Sequence, residues 1–300
     1  MHVACAVEGR YDVHSAVMLH SVLAHSPDRP VLVHYLHGAS LNPRFARKLS
    51  EMVARLGHSV SFYDIPEGRV ADLPAPDYFT RAMWYRLLLP ELLPDVARVL
   101  YLDVDTVAVD DLGPLWQIDL GQQYLGAVTN VFWIAGHAER VASLGLRPES
   151  YFNSGVLMLN LKQLRADDCS AKIRDVILRR KAELLWPDQD ALNLTLGDHR
   201  VALHPRWNCM NSFGDFPAAA GVFGRDMVME ARGRPGIRHF EGPGHNKPWH
   251  LLCEQEGRRE YFRHRRQTPW PLVRRSGMTA GNVLRRVGLL PRQVAPPLRP

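Results

Sequence analysis

Two aspartates stand two residues apart in Tyr101-Leu102-Asp103-Val104-Asp105, at the end of an apolar run that begins near Arg98. In an extended chain residues i and i+2 project to one side, so both carboxylates are expected to share a site. Hard oxygen ligands of this kind suit Mg2+ or Mn2+ held against a diphosphate. The pair is not specific by itself. Among nineteen Asp, Asp188-Gln189-Asp190 supplies a second such spacing, and a polar strand-end turn continued by Asp110 and Asp111 is the plain alternative. His239 is a candidate third ligand, ending the run Gly236-Ile237-Arg238-His239. One of fourteen histidines is ordinarily structural, but its sequel singles it out: Gly242-Pro243-Gly244, then Lys247-Pro248-Trp249. A glycine-rich loop lets backbone amides approach phosphate, and a lysine adds a point charge. An imidazole beside two carboxylates moves the preference from Mg2+ towards Mn2+.

Other residues carry weaker signals. Arg86 follows Tyr85 in a helical pattern that leads to the aspartate pair, and a solvated helix face is its plain reading. Tyr11, in Glu8-Gly9-Arg10-Tyr11, is either a turn aromatic or a platform for a base. Asn153 and Ser154 open a strand pattern, where capping and turn duties are ordinary. Asp188 and Gln189 fall in the first turn of a helix that opens at Pro187, where acidic residues are favoured in any case.

These residues must be positioned by elements that the first half of the chain announces. Short β-rich runs (from Val3, Val31 and Ser59) alternate with helical patterns at about 13–25 and 42–57, and a helix near 81–89 leads into the aspartate strand. Such alternation predicts βαβ units and a mostly parallel sheet, whose ligands bind beyond the carboxyl ends of the strands. Both Glu8–Tyr11 and Asp103–Asp105 fall at such ends. The second half reads as a strand from Phe152, one long amphipathic helix to about Lys181, the Pro187 helix, irregular rim structure from Asn211 to Gly236, and a strand from Gly236.

Composition excludes some classes. The 300 residues are 46% hydrophobic, enough for a sizeable core. The first residues lack the basic and apolar segments of a secretory leader, and no apolar run reaches membrane-spanning length, so a cytoplasmic location is expected. Cys5, Cys169, Cys209 and Cys253 are scattered, against both a disulfide framework and a zinc site. The net charge of +6 is uneven: Glu256 to Pro300 hold eleven Arg and two acidic residues, +9, which leaves −3 for the rest. We therefore read residues 1–255 as a near-neutral globular domain and 256–300 as a basic tail. On charge alone nucleic acid or an anionic membrane surface suits it. Arg274-Arg275 and Arg285-Arg286 alternate with Trp270, Leu272, Val273, Leu284, Leu289 and Leu290, as in a surface-lying segment; Pro291, Pro296 and Pro297 instead favour a solvated terminus.

In combination and order, EGRY, WYRLLLPELLP, YLDVDTVAV, YFNSGVLMLNL, PDQDALN and HFEGPGHNKPW resemble glycosyltransferase family 8, over about residues 3–255. The resemblance implies a GT-A fold, an α/β architecture with a Rossmann-like, mostly parallel sheet flanked by helices. It implies a retaining hexosyltransferase that moves galactose or glucose from a UDP-sugar to a saccharide or lipopolysaccharide-type glycolipid acceptor, with Mn2+ or Mg2+, and no nucleic-acid partner. By residue, it implies metal ligands at Asp103, Asp105 and His239, and base contacts at Glu8 and Tyr11. Ala6 and Arg86 join the donor contacts, and the backbone of Val104 meets the ribose. Asn153, Ser154, Asp188 and Gln189 form the sugar-facing wall, with Gln189 and Asp188 as the catalytic pair. Gly242 and Lys247 clamp the diphosphate. Two features depart from the family pattern. Glu8 is a methylene longer than the usual residue, and the interval from His239 to Lys247 is extended, bringing His245 within reach of the loop's task.

Two rival readings remain at the level of sequence. Asp103-Val104-Asp105-Thr106-Val107 also fits the nucleophile motif of a haloacid-dehalogenase-type phosphotransferase, although three strands precede it and no later acidic pair of that family's kind appears. A non-catalytic module that binds nucleotide-sugar or membrane is the other.

Overall fold

A computed structural model describes residues 1–76, 79–132, 136–242, 244–272 and 275–290. Pro243, Val273, Arg274, Pro291, Pro296 and Pro297 lie outside these. Seven strands form the main sheet: β1 (His2–Val7), β2 (Leu32–His37), β3 (Ser59–Asp64), β4 (Arg98–Leu102), β6 (Leu125–Thr129), β7 (Phe152–Asn160) and β8 (Arg200–Ala202). Three short strands, β5 (Thr106–Ala108), β9 (Cys209–Met210) and β10 (Ile237–His239), make a second sheet.

The main sheet runs β3-β2-β1-β4-β7-β6-β8 and is mostly parallel, as expected; only β7 is antiparallel to its neighbours β4 and β6. Along β1 the pleat sends Val3, Cys5 and Val7 to one core and Ala4 to the other, so helices must cover both faces. The Pro43–Arg55 helix illustrates the local logic. Asn42 Oδ1 accepts from the amides of Arg44 and Phe45, Pro43 supplies the first turn, and Phe45, Leu49, Met52 and Val53 face inward.

Three expectations are corrected. The helix near 81–89 is a 3-10 helix, Arg81–Leu88, that yields to a four-residue α-turn, Leu89–Leu92, with Pro90 in its first turn. The long helix to Lys181 is two helices, Leu161–Ala166 and Cys169–Arg180, broken where Asp168 adopts a left-handed φ of 49°. The stretch 211–236 is not irregular. It carries helices Phe216–Phe223 and Arg225–Gly233, the first capped by Asp215 and the two separated by Gly224 at φ 82°. Pro and Gly there mark helix boundaries rather than loops.

The chain beyond residue 255 begins inside the packed structure. Helix Arg258–Arg265 lies on helix Asp12–Ala24, with Tyr261, His264, Arg265 and Thr268 buried. Trp270 stacks on Phe45 at 4.6 Å between centroids. The tail's exposed part is helix Ala280–Arg286 and its surroundings, where Leu272, Val283, Leu284, Val287, Leu289 and Leu290 face solvent. No helix among the described residues is long and apolar enough to cross a membrane.

Candidate active site

Topology brings distant residues to one rim. β7 runs against β4 with Leu102 opposite Val156, so Asn153, Ser154 and Gly155 sit beside the residues that follow Leu102. β10 runs against β5 with His239 opposite Thr106, which places His239 beside Asp105. β1 adds Glu8 to Tyr11 at its carboxyl end, as a 3-10 turn that Gly9 opens at φ 56°.

Asp103 to Asp105 are not extended. β4 ends at Leu102, and a turn follows in which Thr106 donates from both its amide and its hydroxyl to the Asp103 carbonyl. The Asp103 amide donates to the Gly155 carbonyl at 2.8 Å. The carboxylates still converge: ligand atoms of Asp103, Asp105 and His239 all lie within 4.8 Å of one another. Bonds of about 2.2 Å to one ion allow ligand separations up to about 4.4 Å, so the set closes around a cation with sub-ångström adjustment. Gly155 is what admits the imidazole, since a Cβ there would stand 2.2 Å from His239 Cε1.

A relay of amides sets the tautomer. The Gly155 N–H donates to Asn153 Oδ1 at 3.0 Å, so that atom is the oxygen. It also accepts from Asn208 Nδ2 at 2.9 Å, which turns Asn208 Oδ1 towards His239 Nδ1 at 2.9 Å. Nδ1 therefore carries a proton, and Nε2 faces Asp105 Oδ1 at 3.3 Å. Two carboxylates and an oriented imidazole nitrogen are a fitting donor set for Mn2+.

Cations brace the aspartates. Arg86 is buried rather than solvated: Nε donates to the Met83 carbonyl, Nη1 to the Ser154 carbonyl at 2.7 Å, and Nη2 to Asp103 at 3.0 Å, with Asp188 at 3.2 Å. Its guanidinium lies 4.3 Å from the centre of the Tyr101 ring. Lys247 ion-pairs with Asp105 and donates to the Phe240 carbonyl at 2.9 Å, so the longer interval after His239 still delivers it to the site. Burial opposes ionisation of Asp105, but Lys247 and His239 outweigh it and hold the carboxyl well below its usual range. For His239, too, burial works against charge and Asp105 outweighs it, raising the imidazole. Burial pushes Asp188 up, against the pull of Arg86.

The wall opposite is built from β7 and helix Pro187–Leu196. Gln189 accepts from the Ser154 amide at 3.0 Å and donates to the Tyr151 hydroxyl at 3.2 Å, and the Ser154 hydroxyl donates to Asp188 at 3.3 Å. Asp190, the other half of the second aspartate pair, is fully buried and structural: it binds Arg140, the Tyr151 hydroxyl and the amides of Leu185 and Trp186. Ala6, Glu8 and Tyr11 are half-buried at the β1 end, Val104 is half-buried between the aspartates, and Gly242 is exposed at φ 91°. Hydrogen bonds and ion pairs thus join Arg86, Ser154, Asp188, Gln189, His239 and Lys247, directly or through one another, to Asp103 and Asp105, and the structure adds Asn208, Gly155, Tyr101 and Tyr151. Of these only Tyr101 carried a signal, an aromatic two residues before Asp103 in the same alternation.

The profile of the family described as Glycosyl transferase family 8 matches residues 2–253. General stress protein A of Bacillus subtilis (strain 168) is 28% identical over 279 residues, covering 91% of this chain and 96% of the relative. A lipopolysaccharide 1,2-glucosyltransferase of Escherichia coli is 26% identical, covering 88% and 77%. Among solved structures, the galactosyltransferase LgtC in complex with donor and acceptor sugar analogs aligns with a TM-score of 0.78 at 27% identity, covering 90% of this chain and 96% of that one.

Proposed function

The chain is a glycosyltransferase of family 8, and on that footing we propose that it moves a hexose, galactose or glucose, from a UDP-sugar to a saccharide or glycolipid acceptor with retention, with Mn2+ between Asp103, Asp105 and His239. The observation that carries the reading is that oriented donor set, with Nε2 of His239 presented to two carboxylates. Mg2+ is the other hard cation the aspartates suit.

When bound, the cation supplies Lewis-acid stabilisation of the departing diphosphate. The chain's own residues do the rest. Tyr11 and Glu8 hold the base, with Ala6 beside them, and the Val104 backbone meets the ribose. Lys247 exchanges Asp105 for the diphosphate, above the Gly242 turn, and so places positive charge where negative charge develops. Arg86 steadies Asp103 and Asp188 from beneath. Asn153, Ser154, Asp188 and Gln189 form the wall that holds the sugar. Gln189, a neutral amide held at both ends, is a poor nucleophile, which favours attack on the face the diphosphate leaves. The phosphotransferase alternative is set aside because Asp103 follows the fourth strand and residues 2–253 match another family.

A panel of UDP-sugars assayed for Mn2+-dependent UDP release tests the reading. Release from UDP-galactose or UDP-glucose is expected. Hydrolysis of simple phosphomonoesters without UDP release from any donor would overturn it.

The kinship with lipopolysaccharide enzymes favours a lipid-linked acceptor. We propose that the exposed part of the tail, residues 280–290, lies on an anionic leaflet on the cytoplasmic side and holds the rim near such an acceptor. The exposed apolar residues Val283, Leu284, Val287 and Leu289 beside Arg285 and Arg286 support this.

A further inference from the structure

Lys247 is followed by three residues, each of them gripped by chain that lies beyond residue 255. Arg258 Nε donates to the Pro248 carbonyl at 3.1 Å, and its Nη2 to the His250 carbonyl at 3.4 Å. The Ser276 amide donates to the Trp249 carbonyl at 3.1 Å, and the Leu251 amide to the Ser276 carbonyl at 3.0 Å. The Trp249 ring lies flat on the His14 imidazole, with 3.6 Å between centroids and 12° between planes, and meets Tyr11 edge-on at 6.2 Å. His14 Nδ1 is hydrogen-bonded to the Tyr261 hydroxyl at 2.7 Å, in a place where both residues are buried. The His14 ring is thus tied by a hydroxyl from helix Arg258–Arg265.

This arrangement has a direction. Trp249 is large and 6% exposed, and it is two residues from the ammonium that meets Asp105. A planar stack fixes a ring only if its partner ring is itself held against rotation, and the Tyr261 hydroxyl does that for His14. Tyr11, carried by the separate turn after β1, meets the same tryptophan edge-on. A shift of Trp249 would therefore be felt at the lysine, which is joined to it through Pro248 alone, more than at Tyr11, which meets it only edge-on.

We infer that Tyr261 and His14 are positioning residues of the donor site: through Trp249 they hold the Lys247 loop where its ammonium meets the diphosphate, so the C-terminal helix belongs to the binding machinery. The inference rests on Lys247 as the diphosphate clamp and goes beyond that reading by assigning part of the support, Tyr261, to chain outside the matched family segment, which ends at residue 253. Misplacing a clamp weakens contacts to the group it holds and leaves the remote parts of the ligand unaffected.

The test is isothermal calorimetry on the full chain, with UDP in Mn2+ and with uridine alone, for Tyr261→Phe, His14→Gln, Lys247→Ala and the Tyr261→Phe/Lys247→Ala pair. Tyr261→Phe keeps the ring and removes only the hydroxyl. It is expected to weaken UDP about tenfold, with uridine binding and melting temperature close to wild type, and His14→Gln to do the same. In the pair, loss of the hydroxyl is expected to add almost nothing to Lys247→Ala, because both act through one contact. If Lys247→Ala weakens UDP but neither Tyr261→Phe nor His14→Gln does, the positioning role is wrong and the clamp stands. If Lys247→Ala leaves UDP binding unchanged, the clamp itself fails. Equal losses for UDP and uridine in Tyr261→Phe would make the contact merely structural and overturn the inference.

Discussion

Gln189 spends both ends of its amide on the protein, one on the Ser154 backbone and one on Tyr151. A group so held can position a sugar with little reorganisation, which is what a transition-state contact requires. Gln189→Ala is therefore expected to lower kcat by about a hundredfold while UDP affinity in Mn2+ stays within about twofold. Calorimetry beside steady-state kinetics checks this, and an equal loss in UDP affinity would instead make Gln189 a nucleotide-binding or structural residue. At this scale the sequence was informative wherever chemistry forces a residue type. Asp103, Asp105, His239 and Lys247 stand out because few other side chains bind a cation or a diphosphate. Asn208 was hidden, because its task, holding an imidazole by one nitrogen, can be done by any well-placed acceptor, and nothing at Arg206-Trp207-Asn208 marks it. Gly155 was hidden too, since its lack of a Cβ matters only once β7 is seen against His239.

At the scale of elements, the strands of the first half were legible because both faces of the sheet are covered and the apolar runs are nearly continuous. Asp168 and the helices of 216–233 were not, since a left-handed residue and tertiary packing overrode the periodic signal. The tail shows the same limit. Its charge was plain, but nothing in Arg-rich sequence told that Tyr261 and His264 are buried on helix Asp12–Ala24 while Leu284 and Leu289 are not. A cut at residue 262 would strip packed residues, so the informative truncation ends at Thr279. The full chain is expected to sediment with anionic vesicles at low salt and to be released at high salt, since each arginine near the surface contributes about 1 kcal/mol. The truncated chain should stay in the supernatant and still release UDP. If neither form binds such vesicles, the tail has no membrane role.

Over the whole molecule, buried histidines set the response to acid. Burial depresses His14 to about 3, His34 to about 4 and His264 to about 4. Their folded values lie below the unfolded value of about 6.5, so unfolding takes up protons and stability is lost as pH falls from about 6.5 towards 4. Each such imidazole contributes a slope of up to about 1.4 kcal/mol per pH unit in that window. Asp12, raised to about 6 by burial, holds a proton in the folded state and offsets part of the fall. His264 stands against His20 and His25, and substitution by a neutral amide removes one titrating group from that contact. The melting temperature is expected to drop between pH 6.5 and 4.5, and more gently in His264→Gln. An unchanged slope in the variant would show that His264 is not buried neutral.

On the proposed reading Asp103, Asp105 and His239 hold the cation that the sugar transfer needs. The most direct test is UDP release from the preferred UDP-sugar, measured with Mn2+ and with EDTA, for the wild-type chain, Asp103→Asn and Asp105→Asn. Activity that EDTA abolishes and Mn2+ restores is expected, with a loss of at least about a thousandfold in either variant and the fold intact by circular dichroism. Near-normal turnover in EDTA, or in either variant, would contradict it.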